Sequence, residues 1–236
     1  MTATVIITRP MPAAQVSAAR LAAAGIDAMV APLFLLRPAT WTAPEKHPQA
    51  VMLTSANAPR LSGPLPAPLL ALPCYAVGEA TAAQARKAGF SRIIVGDADA
   101  AALLRRISGD GVGQLLWLAG REHRPPVGPA GLTVDIRIVY ETVAFDVLGE
   151  ATRAVFAADG PAMVLLYSPR AATRFAELAD RHGLSRETIA IGCLSHAVAA
   201  AAGTGWRSVH IADRPDEDHL FAACGLLCDK PSPGEG

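Results

Sequence analysis

Val134-Asp135-Ile136-Arg137-Ile138-Val139-Tyr140-Glu141-Thr142-Val143-Ala144-Phe145 begins as one kind of strand and ends as another. Val134, Ile136 and Ile138 alternate with Asp135 and Arg137, the period of a strand with one face in a core and the other in water. The alternation breaks at Val139 and Tyr140, although the β-branched content continues. A strand that loses its polar face part way along is passing into a different environment, such as out of one domain and into the next. Tyr140 stands at that crossing. A second apolar, proline-bounded passage, Pro32-Leu33-Phe34-Leu35-Leu36-Arg37-Pro38, reads as extended chain rather than helix.

Around these passages the chain repeats one unit, a short apolar strand followed by a helix. Strands are expected near residues 4, 27, 163, 189 and 208 in one set and near 51, 75, 93 and 115 in another. Regular alternation of this kind predicts an α/β fold of parallel sheets with helices on both faces. The two extended passages bracket the second set, as they would for an inserted domain. Residues 1–34 and 145–236 then form a discontinuous first domain and residues 39–133 an inserted second one, both flavodoxin-like or Rossmann-like. Residues 32–38 and 134–145 are the linker strands, expected to pair as a two-stranded antiparallel ladder. Pro64 to Pro73 reads as a stiff connection, Glu122 to Gly131 as too rich in proline and glycine for a long helix, and the tail Pro231 to Gly236 as disordered.

A length of 236 residues fits one large domain or two small ones. The 51% hydrophobic and 18% charged content describes a soluble globular protein. No apolar run approaches the ~20 residues that span a bilayer, and the N-terminus lacks a basic region followed by an apolar one. No membrane association and a cytoplasmic location are therefore expected. The 21 basic and 21 acidic residues cancel, so no global field draws the protein to nucleic acid, and an anionic ligand needs local capture. Only Lys46, Lys87 and Lys230 are lysine. The arginine excess suits bidentate carboxylate binding, although the alanine excess points to a general compositional bias as well. Cys74, Cys193, Cys224 and Cys228 form no paired metal pattern and read as buried thiols. Cys224 and Cys228 would share a helix face, which leaves a zinc or redox site as the alternative.

Sites in parallel sheets lie at the carboxyl ends of the strands. Those ends read Thr8-Arg9-Pro10, Thr54-Ser55-Ala56-Asn57, Gly78-Glu79-Ala80-Thr81, Gly120-Arg121-Glu122, Ser168-Pro169-Arg170 and Leu194-Ser195-His196. Most place a hydroxyl at a helix N-terminus, where free N–H groups and the helix dipole bind carboxylates or phosphates without net positive charge. Each turn taken alone is equally an ordinary N-cap, worth ~1 kcal/mol to its helix. Their number is what points to binding. A glycine-rich dinucleotide fingerprint and a Walker loop are both missing, so nucleotide binding is not supported. No catalytic triad is evident, because the adjacent Ser195 and His196 point apart on a helix. Asp97 and Asp99 read as helix caps. The remaining acid–base candidate is Tyr140, with a half-buried interfacial tyrosine as the alternative.

Taken together, Thr8-Arg9-Pro10, Leu53-Thr54-Ser55-Ala56-Asn57-Ala58, Ala76-Val77-Gly78-Glu79-Ala80-Thr81-Ala82, Val139-Tyr140-Glu141-Thr142, Tyr167-Ser168-Pro169-Arg170-Ala171 and Cys193-Leu194-Ser195 resemble the uroporphyrinogen-III synthase family. The motifs are individually loose; their order and spacing along the whole chain carry the resemblance. It implies two α/β domains with the active site in a cleft, and cyclisation of linear hydroxymethylbilane to uroporphyrinogen III with loss of water and inversion of ring D. It implies no metal or organic cofactor. It implies a monomer, with hydroxymethylbilane as its partner and room for transient contact with the upstream hydroxymethylbilane synthase.

The substrate carries many carboxylates on flexible arms, and a ring of helix N-termini suits them. By this resemblance Arg9, Thr54, Ser55, Gly78, Thr81, Gly120, Arg121, Ser168 and Ser195 fall at substrate-binding turns. Ser195-His196 stands where some members carry two threonines, so a hydroxyl at the second position is missing. Tyr140 falls on the family tyrosine proposed to protonate the leaving hydroxyl. An unperturbed tyrosine, with a pKa of about 10, holds a proton to donate at neutral pH. The alternative is a non-catalytic sensor of tetrapyrroles or other polyanions that keeps the same cleft; the retained tyrosine and the lack of an effector domain in the sequence favour the enzyme.

Overall fold

A computed structural model of the chain describes residues 4–96, 99–124, 127–158 and 161–227. Asp97, Pro125, Pro126, Cys228 and the tail from Pro231 lie outside the described residues. Along the chain the elements are β1 (Thr4–Ile7), α1 (Ala13–Ala23), β2 (Ala28–Val30), β3 (Phe34–Pro38), β4 (Ala50–Leu53), α2 (Asn57–Leu61), α3 (Ala67–Leu70), β5 (Pro73–Val77), α4 (Glu79–Ala88), β6 (Arg92–Gly96), α5 (Ala100–Gly109) and β7 (Gln114–Gly120). They continue as β8 (Thr133–Ala144), α6 (Glu150–Ala157), β9 (Ala162–Leu166), α7 (Pro169–Arg181), β10 (Ile189–Cys193), α8 (His196–Ala202), β11 (Ser208–Ile211) and α9 (Glu217–Ala223).

The chain divides into two compact units, one of Met1–Leu35 with Ala144–Gly236 and the other of Leu36–Val143. The first holds a sheet in the order β11-β10-β9-β1-β2 with every neighbouring pair parallel. Its central strands β1, β9 and β10 are buried on both faces, which is why β9, Ala-Met-Val-Leu-Leu, has no polar residue. Val164 and Leu166 pack on one side with Phe175 and Ile191, and Met163 and Leu165 on the other with Leu21 and Phe221. Each fully buried side chain of this size contributes about 1.5–3 kcal/mol of burial.

The second sheet runs β3-β8-β7-β4-β5-β6. From β8 to β6 the pairs are parallel. At the β3 edge the backbone N–H of Ala39 donates to Val139 and that of Phe145 to Leu33, each at 3.0 Å, so β3 and β8 pair antiparallel as expected. Val51, Leu53, Leu116 and Leu118 face one core, and Ala50, Met52, Leu115 and Trp117 the other.

The broken alternation in the opening stretch has a local cause. Ala119 of β7 faces Ile138 of β8, but Gly120 faces Tyr140, leaving Val139 as the extra residue of a β-bulge. Ile136 and Ile138 pack into one core of the unit, whereas Val139 and Tyr140 turn to the other. The change of environment read from the sequence is thus a change of sheet face, and the chain leaves this unit only after Val143. Residues 133–140, placed by the sequence largely in a linker, are paired along the length of β7.

Two smaller differences are also local. The stretch read as a stiff proline connection contains α3, because Pro68 sits in the first turn, where its missing N–H has no intrahelical partner to lose. Helix α4 starts at Glu79, directly after Gly78 at φ +75°, so Thr81 lies inside the first helical turn instead of a loop.

Candidate active site

In each sheet the strand order reverses once, between β1 and β9 in the first and between β4 and β7 in the second. A crevice opens at the carboxyl ends on either side of such a reversal. The two reversals bring together Thr8-Arg9 with Tyr167-Ser168, and Thr54-Ser55 with Gly120-Arg121.

At the second reversal, Trp117 Nε1 donates to Thr54 Oγ1 at 3.3 Å, and Ser55 Oγ accepts from the Asn57 N–H at 3.2 Å, forming the turn into α2. The Arg121 N–H donates to the Tyr140 carbonyl at 2.9 Å just past the bulge. The Tyr140 ring lies directly over Gly120: a Cβ there would stand 2.5 Å from Cζ and 2.7 Å from the hydroxyl oxygen. Gly120 is therefore the floor on which the phenol rests, a role that its place in a turn did not suggest. The ring packs partly against the Val51–Leu118 core, and its hydroxyl makes no hydrogen bond among the described residues. His123 closes the turn, its Nδ1 3.0 Å from the Gly120 carbonyl and its ring edge-on to Trp117.

Glu141, the residue after Tyr140, was missed by sequence reasoning. One carboxylate oxygen accepts from Arg37 Nε at 2.5 Å and the other from Arg121 Nε at 2.7 Å. Those hydrogen bonds hold its carboxyl below the ordinary glutamate range. The only signal in the sequence was an acid at the end of β8 and a base in each flanking segment, and the register that joins them is a property of the sheet.

The first reversal is more closed. Thr8 is buried and its hydroxyl donates to the Leu165 carbonyl at 2.6 Å. Arg9 donates to Glu217 at 2.9 Å and stands 4.6 Å over the Tyr167 ring. Glu217 also takes Ser17 at 2.5 Å and Arg20 at 2.7 Å. Burial alone would raise the Glu217 carboxyl, but hydrogen bonds from Ser17 and Arg20 and the charge of Arg9 outweigh it and hold it low. The Tyr167 hydroxyl is buried without a hydrogen bond of standard geometry among the described residues, and burial, then the Glu217 charge, push its pKa far up. Ser168 caps α7 by accepting from the Ala171 N–H at 3.2 Å. Ser195 precedes α8 but makes no side-chain cap bond.

Gly78 immediately precedes α4, and Thr81 is 4% exposed. A cavity of about 600 Å³ in the second unit opens beside Gln114 and Thr133, at the amino ends of β7 and β8, the end of the sheet away from Tyr140. The described cysteines are free, with burial raising Cys74 to about 12, Cys193 to about 11 and Cys224 to about 12, the last two on opposite sides of the sheet. Among the described residues no His, Cys, Asp and Glu cluster could hold a metal, and no helix is long and apolar enough to cross a membrane.

Comparison with known proteins agrees with the resemblance. The family described as uroporphyrinogen-III synthase HemD matches residues 15–222. Uroporphyrinogen-III synthetase from Helicobacter pylori 26695 is similar in fold, with a TM-score of 0.58 and 13% identity over 96% of this chain and 100% of that one. Thermus thermophilus uroporphyrinogen III synthase aligns over 95% of this chain and 97% of its own at 14% identity, with a TM-score of 0.37. No curated protein sequence matches. With the greater part of its length covered by the family's pattern, the chain belongs to the uroporphyrinogen-III synthase family.

Proposed function

We propose that, in the family reaction that cyclises hydroxymethylbilane to uroporphyrinogen III, Tyr140 donates the proton that lets the terminal hydroxyl leave as water. The observation that carries this reading is the phenol resting over Gly120 at the strand-order reversal, with no hydrogen bond to its hydroxyl among the described residues. The pyrrole nitrogen of the substrate supplies the electron push that breaks the C–O bond. The protein then needs one donor and a binding surface that holds the chain for attack at the substituted carbon of ring D. Catalysis of this kind rests on conformational control and placed charge, which is consistent with a site built from turns.

Thr54, Ser55, Gly120 and Arg121 in one unit, and Arg9, Ser168 and Ser195 in the other, bind substrate carboxylates, with Gly78 and Thr81 contributing through the first turn of α4. The protein acts as a monomer in the cytoplasm and takes its substrate by transient contact with the upstream hydroxymethylbilane synthase. The support for that contact is chemical: the linear bilane closes to isomer I unaided. Freshly prepared hydroxymethylbilane, with the product isomers separated, tests the reading. Isomer III is expected; isomer I alone from folded protein would leave only the binding-module reading.

A further inference from the structure

We propose that Arg37, Glu141 and Arg121 form a carboxylate receptor, in which Glu141 fixes two guanidinium forks so that each offers its terminal N–H edge to a substrate carboxylate. The inference rests on the synthase reading for its substrate and on geometry for the rest. The ladder register set by the Ala39–Val139 and Phe145–Leu33 hydrogen bonds places Arg37 directly opposite Glu141. Arg121 follows Gly120, the β7 partner of Tyr140, and so flanks Glu141 on its other side. The three side chains form one row across β3, β8 and the end of β7.

The way the bonds are made matters more than their number. Each arginine reaches Glu141 through Nε alone, one to each carboxylate oxygen. The paired terminal nitrogens of both guanidiniums, the edge that takes a carboxylate in two parallel hydrogen bonds, have no hydrogen-bond partner among the described residues. Glu141 is shielded, with 18% of its side chain exposed, while Arg37 and Arg121 are 59% and 60% exposed. One partly shielded anion thus orients two open cations, and the row keeps one net positive charge. Exposed ion pairs add only about 0–1 kcal/mol to stability, so holding a long edge-strand arginine in one orientation is the main effect of the arrangement. Alternation along β8 puts the row on the face of the sheet opposite the Tyr140 ring, at the same end of the strands. A polycarboxylate with long flexible arms can reach both.

Equilibrium binding of uroporphyrin III, a stable octacarboxylate probe, tests the receptor without requiring turnover. Arg37→Gln, Arg121→Gln and Glu141→Gln are each expected to weaken binding about tenfold, the loss of a charged hydrogen-bonded contact, and to raise KM for hydroxymethylbilane while kcat stays within about twofold. Arg37→Lys, which keeps charge but loses the fork, is expected to bind as weakly as Arg37→Gln. Binding unchanged in the glutamine variants, or full recovery with lysine, overturns the inference; so does a fall in kcat with KM and probe binding intact. If the wild type binds uroporphyrin through these arginines yet makes only isomer I, the synthase reading fails and the receptor stands.

Discussion

The two strand-order reversals are built to the same plan and finished differently. At the first, nearly every polar side chain is already engaged: Thr8 with a backbone carbonyl, Arg9 and Ser17 with Glu217, Ser168 with the start of α7. At the second, the phenol of Tyr140 and the outer edges of Arg37 and Arg121 make no hydrogen bond among the described residues. The difference teaches where to look for chemistry. A side chain whose hydrogen bonds are spent inside its own unit holds that unit's shape and presents mainly backbone N–H groups, whereas one propped from below with its polar end open can act on a ligand.

The contrast is broken most directly at Tyr140. Tyr140→Phe keeps the ring over Gly120 and removes only the proton, and loss of a positioned general acid costs about a hundredfold or more in kcat. Turnover unchanged in that variant would remove Tyr140 as the donor. Gly120→Ala is expected to cost about tenfold or more, because its new methyl group occupies the space of the phenol. If it acts through Tyr140, it should cost little further in a Tyr140→Phe background, so the two changes together should be far from additive. Additive losses would show that Gly120 serves the site in some other way.

The closed reversal should answer to stability instead. Glu217→Gln leaves Arg9 and Arg20 without their shared anion and is expected to cost about 1–2 kcal/mol by denaturant titration, less than a fully buried pair because both arginines remain partly exposed. Its pH dependence has a definite sign. The Glu217 carboxyl is held below its unfolded value, so its contribution is present above about pH 4.3 and is lost as pH falls through the lower folded value. The denaturation midpoint of the wild type should therefore fall between neutral and acid pH more steeply than that of Glu217→Gln. Parallel curves would mean that the cluster contributes little to folding.

How much of this was legible in the sequence follows from the range of each interaction. The strand–helix alternation, the inserted arrangement of the strands and the antiparallel passage were readable because burial on both faces writes long apolar runs into the chain. The break at Val139–Tyr140 was readable as an anomaly but not as a bulge, since a bulge is defined by what lies opposite, and Gly120 lies twenty residues away in another strand. The same holds for Arg9, whose guanidinium is taken by a glutamate 208 positions later, and for Glu141, whose neighbours depend on sheet register. Helix α3 was hidden because prolines signal a turn and the first turn of a helix equally well.

The smallest expected effect separates capping from binding at the two serines that the sequence treated alike. Ser168 Oγ accepts from the Ala171 N–H, so Ser168→Ala should lower stability by the ~1 kcal/mol of a lost N-cap. Ser195 stands at the start of α8 with no side-chain cap bond, so Ser195→Ala should leave the denaturation midpoint where it is. Any change that Ser195→Ala makes in KM for hydroxymethylbilane must then come from the ligand. A stability loss equal to that of Ser168→Ala, with KM unchanged, would assign Ser195 to the helix and remove it from the site. For Ser168 the same measurement sets a baseline: only a KM effect larger than its stability loss predicts would give that serine a second role.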